Sequence, residues 1–381
     1  MKLLFWIGVC GAAVLEIALV YFVMPMPGSQ RLRSIEFAYA LYRWRWALRF
    51  LFGAMVLAGV RPAWRGTLTR SRFLVPAAVL ALAGIAYAFN FRLAADQMFL
   101  QPTVMNLQPS VTNKVALDRL VLGIELNGIA RAYPLQFVGY HHQVRDTLAG
   151  QQILVSYCTV CRTGRVFRPT VNGTPETFRL VGMDHFNAMF EDRTTGSWWR
   201  QANGEAIIGP MKGTAMPELL SVQVSLKQWL TLYPQTLVMQ ADPNFTSEYS
   251  KDYAYERGTR TGGLTGTDTA SWHDKSWVVG VAQHGAAKAY DWKRLRRERV
   301  INDTVGGVPI VLALGPDSVS YFAFQRPDPS VQFVLRGDSL VSAVAAYALN
   351  GKGPAGALAP INASQEFWHS WRTFQPATAR Y

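Results

Sequence analysis

Two of the chain's three cysteines stand in the run Ser156-Tyr157-Cys158-Thr159-Val160-Cys161-Arg162-Thr163-Gly164. Thiols at this spacing can share a metal, cycle between dithiol and disulfide, or close a structural disulfide. Attachment of a c-type haem needs histidine directly after the second cysteine, and Arg162 stands there instead. A metal needs further ligands, and His141, His142 and His185 share the half of the chain that carries the cysteines. His141 is the candidate that joins Cys158 and Cys161, because two thiolates and imidazole suit zinc or copper. The cofactor and any catalytic residue stay unassigned.

A second cluster, with Asn187, Asp192, Arg193, Ser197, Trp199 and Gln201, is dense in polar and aromatic groups. With Tyr157 and Arg162 it could line a pocket beside the cysteines. Equally, Asp192 to Gly196 could be a self-satisfied hairpin loop, with the tryptophans as core. A hydrolase using His141 as base and Asp192 as its orienter requires the two within hydrogen-bond reach. No Gly-x-Ser-x-Gly elbow or His-Glu-x-x-His helix occurs in the sequence. Glu191 and Asp192 would point apart on a strand, which argues against a glycosidase pair.

The elements that must position these groups are short. Val121 to Leu126 and Ile129 to Tyr133 flank Asn127-Gly128, a two-residue hairpin signal. Val166-Phe167, Phe178 to Val181 and Ala206 to Ile208 read as strands, and Ser225 to Tyr233 as a helix with Ser225 as N-cap. Shifting the chain by 157 residues lays Gly123 to Tyr133 on Gly280 to Tyr290 and Asp146 to Gly150 on Asp303 to Gly307. In that frame Cys158 to Cys161 falls on the turn Gly315-Pro316-Asp317-Ser318, so the cysteines are expected at a strand-to-strand turn. At another shift Trp229 to Pro234 resembles Trp371 to Pro376. The second half has no cysteines. If both halves share a fold, the thiols are not needed to make it.

Half of the residues are apolar and the net charge is +13. Residues 1–100 hold 11 Lys+Arg and 3 Asp+Glu, whereas residues 101–381 hold 27 and 22. Most of the excess therefore flanks apolar segments, where it meets lipid headgroups rather than nucleic acid. Leu3 to Met24 and Phe73 to Phe91 are long enough to span a bilayer, and Trp46 to Val60 is a weaker span. Ile35 to Trp46 reads as a surface helix leading into it. Glu16, inside the first span, is expected to face the bundle and pair with an arginine or a hydroxyl. Arg61, Arg65, Arg70 and Arg72 favour a cytoplasmic loop against Arg31, Arg33, Arg43 and Arg45 opposite. The large domain is then expected on the periplasmic side of the inner (cytoplasmic) membrane.

The motifs resemble the bacterial and archaeal family known as domain of unknown function 3179. Its pattern is matched at His141, Asp146, Tyr157, Cys158, Cys161 and Thr163, and again at Asp192, Thr195, Ser197, Trp199, Gln201, Gly204 and Ala206. The chain departs from it at Thr159, where the family has proline, and at Arg145, where it has asparagine. The resemblance covers most of residues 115–330 and implies an export-linked domain with no assigned reaction.

The expected architecture is a membrane anchor over 1–94 with about three transmembrane helices, then a mainly-β (α+β) domain of two tandem related halves. The halves are 95–240, with the Cys-x-x-Cys, and 272–381, without it, joined by 241–271. The expected partner is the lipid bilayer. The leading reading is a metal-binding or redox Cys-x-x-Cys turn. The alternative is a non-catalytic binding or scaffold module with a structural disulfide.

Overall fold

The computed structural model describes residues 1–32, 34–65 and 71–381, without the side chains of residues 71 and 72. Arg33 and Arg70, counted above toward orientation, lie outside the described residues, as does the side chain of Arg72. The chain divides into two compact units. One holds Met1–Leu100, Phe178–Arg200 and Ala206–Thr214, and the other holds Gln101–Thr177, Gln201–Glu205 and Ala215–Tyr381.

In the first unit, α1 (Lys2–Tyr21), α2 (Ile35–Trp64) and α3 (Ser71–Phe91) contain segments long and apolar enough to cross a membrane. The expected surface helix and weak span are one helix, α2. No glycine or proline lies between Ile35 and Phe52, so nothing in the backbone ends the helix near Trp46. Helices α1 and α2 meet closely at Gly59, where a β-carbon would stand 2.4 Å from the Phe5 nitrogen. Glu16 does pair with an arginine. Arg49 donates to its two carboxylate oxygens at 2.7 Å each, and Asn90 bonds both partners at 2.7 Å. One carboxylate, one guanidinium and one amide thus tie the three helices.

The same unit carries a four-stranded antiparallel sheet in the order Ala206–Ile208, Trp198–Arg200, Asn187–Asp192, Phe178–Asp184. Glu191 fixes this sheet to α2, accepting from Tyr42 at 3.1 Å, Arg179 at 3.0 Å and Trp198 at 2.8 Å.

The second unit is mainly β with short helices. One sheet runs Leu107–Pro109, Leu237–Met239, Ile129–Pro134, Leu120–Leu126, Val222–Ser225, and another Glu218–Leu219, Thr163–Phe167, Gln151–Cys158, Gln143–Leu148. A third runs Ala363–Phe367, Trp277–Gln283, Ala286–Asp291, Ala379–Arg380, and a fourth Val300–Val305, Val308–Leu314, Tyr321–Gln325. Asn127 and Gly128 take φ of 51° and 82°, the left-handed pair that a tight hairpin between right-twisted strands demands. Ser225 caps Leu226–Leu232 by accepting from the Gln228 nitrogen at 3.1 Å. A core containing Val121, Tyr157, Trp229, Val311 and Phe324 draws on strands far apart in sequence.

Candidate functional site

Cys158 ends the strand Gln151–Cys158 and pairs with Thr163, which begins the next strand. Residues 159–162 are therefore the turn between two hydrogen-bonded strands, and Cys158 and Cys161 face each other across it. Both are free thiols, fully buried, and hydrogen-bonded to one another. Burial pushes the Cys161 thiol well above its ordinary value, and the contact with Cys158 adds to this.

Arg162 closes the turn at φ 58°, a conformation that costs a residue with a β-carbon. Its guanidinium holds it there. It donates to Gln365 Oε1 at 2.9 Å, to the Tyr255 carbonyl at 2.9 Å and to the Glu256 carbonyl at 3.2 Å, and lies 3.6 Å over the Trp277 ring. Tyr157 bonds Tyr255 hydroxyl to hydroxyl at 3.2 Å, and Tyr255 donates to the Thr159 carbonyl at 3.0 Å. Gln201 joins the corner from below the turn, donating to the Thr163 carbonyl at 2.9 Å and Ser156 Oγ at 3.2 Å.

The groups that touch the cysteine turn most closely come from the end of the chain. The Phe367 nitrogen donates to the Cys161 carbonyl at 2.9 Å. The Ser370 hydroxyl contacts the Cys161 thiol and donates to Glu366 Oε2 at 2.8 Å. Glu366 in turn receives Arg165 at 2.8 Å and Ser364 at 2.8 Å on its other oxygen. Lys275 Nζ donates to the Val160 carbonyl at 2.9 Å, and His369 Nε2 stands 3.2 Å from that carbonyl. Burial lowers Lys275, with the two thiols pulling the other way, and burial beside Lys275 pushes His369 down to about 4. Lys275, Glu366, His369 and Ser370 were not singled out in the sequence. A signal existed: aligning Trp229 with Trp371 sets Glu366 against Val224, an acid against an aliphatic residue.

His141 belongs to a different environment. It ends the helix Leu135–His141, its Nε2 is 2.8 Å from the Tyr249 hydroxyl, and Tyr140, Phe245 and Tyr249 surround its ring. Among the described residues no three His, Cys, Asp or Glu side chains converge so as to hold a metal. The cysteines therefore come without the third ligand that a tetrahedral site would need.

The second cluster divides. Asn187, Asp192, Arg193, Ser197 and Trp199 belong to the first unit, and Gln201 to the second. Asp192, fully buried, accepts from the Thr195 nitrogen at 2.5 Å, Thr195 Oγ1 at 2.7 Å, the Ser197 nitrogen at 3.1 Å and Trp199 Nε1 at 2.9 Å. This is the self-satisfied hairpin loop, with Trp198 and Trp199 as its buried floor. A carboxylate with four donors from its own hairpin is poorly placed to orient a catalytic histidine.

Residues 101–378 match the family described as "Protein of unknown function (DUF3179)". No curated protein and no solved structure matches the chain.

Proposed function

The chain belongs to the DUF3179 family, and from that premise we propose that it is a membrane-anchored protein whose Cys158 and Cys161 interconvert between dithiol and disulfide. The observation that carries this reading is the direct contact of the two thiols across one turn. Oxidation removes one proton and one electron from each sulfur as the S–S bond forms. The two electrons reduce a disulfide of a small thiol or a partner protein to two thiols. Lys275 would stabilise a thiolate on this turn, and Arg162 would keep the turn in register through the change.

Zinc or copper bound by the pair is the weaker alternative, because His141 is engaged by Tyr249 and no third ligand converges among the described residues. A structural disulfide in a non-catalytic scaffold is the other alternative. The orientation proposal keeps the large domain on the periplasmic side of the inner membrane, from Arg61 in the last turn of α2 and Arg65 just after it.

Tandem halves at 95–240 and 272–381, joined by 241–271, belong to the same proposal. In their support, the order Leu237–Met239, Ile129–Pro134, Leu120–Leu126, Val222–Ser225 has its counterpart in Ala379–Arg380, Ala286–Asp291, Trp277–Gln283, Ala363–Phe367. The outer pairing is parallel in both. Trp229 Nε1 donates to Thr236 as Trp371 Nε1 does to Thr378, and Tyr133 bonds Asp146 as Tyr290 bonds Asp303.

The test is to count free thiols and metal on the full-length protein equilibrated across a series of glutathione redox buffers. Reversible loss of two thiols, abolished by Cys158→Ser, is the expected result. Near-stoichiometric metal lost in that variant would replace the redox reading with a metal site. A disulfide indifferent to mild reductant would replace it with the scaffold.

A further inference from the structure

His141 has no part in the cysteine chemistry proposed above, and following its contacts leads to a separate cavity. Its partner Tyr249 is 4% exposed, accepts from the Asp242 nitrogen at 3.4 Å and stands 2.8 Å from His141 Nε2. Tyr249 also lines a cavity of about 710 Å³ within the second unit, inside the range of about 300–1,000 Å³ usual for small-molecule sites. Phe137 and Tyr249 supply buried aromatic wall, and Tyr253 lines the cavity with its ring covered by the guanidiniums of Arg119 at 3.8 Å and Arg257 at 4.4 Å.

The charge of this cavity is one-sided. Lys114, Arg119 and Lys251 line it, and none of the described lining residues is an aspartate or glutamate. Arg119 is spent on Glu256 at 2.6 Å and on the Asp252, Ser250 and Lys251 carbonyls. The ammonium groups of Lys114 and Lys251 have no such partner among the described residues. Among the acids adjoining the lining residues in sequence, Asp118 pairs with Arg257 at 2.9 Å, Asp252 with Arg260 at 3.5 Å, and Asp242 accepts from the Thr103 nitrogen at 2.7 Å and the Asn244 nitrogen at 3.0 Å, while Glu248 accepts from the Ser247 hydroxyl at 3.3 Å. Two lysines lining the same cavity as buried aromatic rings favour a ligand with the opposite character, negatively charged at one end and flat and apolar at the other.

We propose that this cavity is a binding site for a small organic anion, a carboxylate on a planar unsaturated body, held by Lys114 and Lys251 and seated against Phe137 and Tyr249. His141 is the positioning residue that fixes the Tyr249 phenol in the wall. This gives His141 a role without a metal, and it does not depend on whether the cysteines cycle.

Titration calorimetry on the full-length protein in detergent tests it with three probes. Phthalate carries both features, inorganic phosphate the charge alone, and benzyl alcohol the ring alone. Phthalate should bind, and more tightly than either of the others. Lys114→Gln with Lys251→Gln should weaken it by about ten-fold or more and remove most of its salt dependence. Both lysines are exposed, so the variant is expected to fold, with circular dichroism as the check. No heat with phthalate, equal binding of phosphate and phthalate, or an unchanged affinity in the double variant would each overturn the proposal.

Discussion

The indole of Trp371 lies flat across Gly280, so close that a β-carbon on the glycine would stand 2.2 Å from the ring. Trp229 covers Gly123 in the same way, at 2.3 Å. Each contact lets the middle of a short helix press onto the middle of a strand. Gly280→Ala and Gly123→Ala should each destabilise the protein by at least about 1–3 kcal/mol, since neither indole can retreat without opening the core. Urea midpoints of the two variants check this, and unchanged midpoints would mean that the indoles can move.

Asp192 is expected to act on stability rather than on chemistry. Asp192→Ala removes the acceptor of four donors and leaves Trp199 Nε1 buried without a partner. A loss of about 2–4 kcal/mol follows. The thiol redox midpoint should stay where it is, and a shift in it would tie the hairpin to the cysteines.

Arg49→Leu strands Glu16 among the helices and should cost about 3–5 kcal/mol. The double change Glu16→Gln, Arg49→Leu removes both charges and should recover most of that loss. Thermal unfolding in detergent compares them. If the double variant is no better than the single one, packing rather than charge pairing dominates at this site.

Stability should fall on mild acidification. His142 and His369 are each pushed down to about 4, mainly by burial, which keeps the neutral rings. The unfolded chain protonates them near the ordinary value of about 6.5. Their contribution is therefore complete above about pH 6.5 and is lost as pH falls toward about 4, on the order of 3 kcal/mol for each ring. His369→Gln should flatten that dependence in denaturant titrations at about pH 7 and about pH 4.5. An equal slope in the variant would assign the loss to other groups.

Ser370 counteracts the burial of Cys161, since its hydroxyl contact favours the thiolate. Ser370→Ala keeps the Glu366–Arg165 pair and should move the ionisation of Cys161 to higher pH. Ultraviolet thiolate absorbance against pH, measured on the Cys158→Ser background, reads this directly. A midpoint unchanged by the substitution would show that the hydroxyl does not support the thiolate.

The features legible in the sequence are those set by neighbours along the chain. Asn127-Gly128 makes a hairpin because two adjacent residues tolerate positive φ, and Ser225 caps a helix because its hydroxyl reaches a nitrogen three residues on. The apolar lengths around Glu16 and Pro76 mark spans because a bilayer sets a minimum helix length. The turn at Cys158 to Cys161 was legible from the Gly-Pro-Asp-Ser sequence that the 157-residue shift lays on it. The reading of Ile35 to Trp46 as a surface helix leading into a separate span rested on composition, whereas the backbone runs through Trp46 as one helix, Ile35–Trp64.

Only the tertiary structure decided what surrounds those thiols. Ser370 and Glu366 lie more than 200 residues from Cys161 in sequence, and they reach it because Phe367 bonds the Cys161 carbonyl. Such contacts leave no period or spacing to read. His141 shows the same limit from the other side. It stands in the sequence close to the cysteines, yet its ring is drawn into an aromatic cluster built from residues 245 and 249, because chain proximity does not choose a buried side chain's partner; packing and hydrogen bonding do.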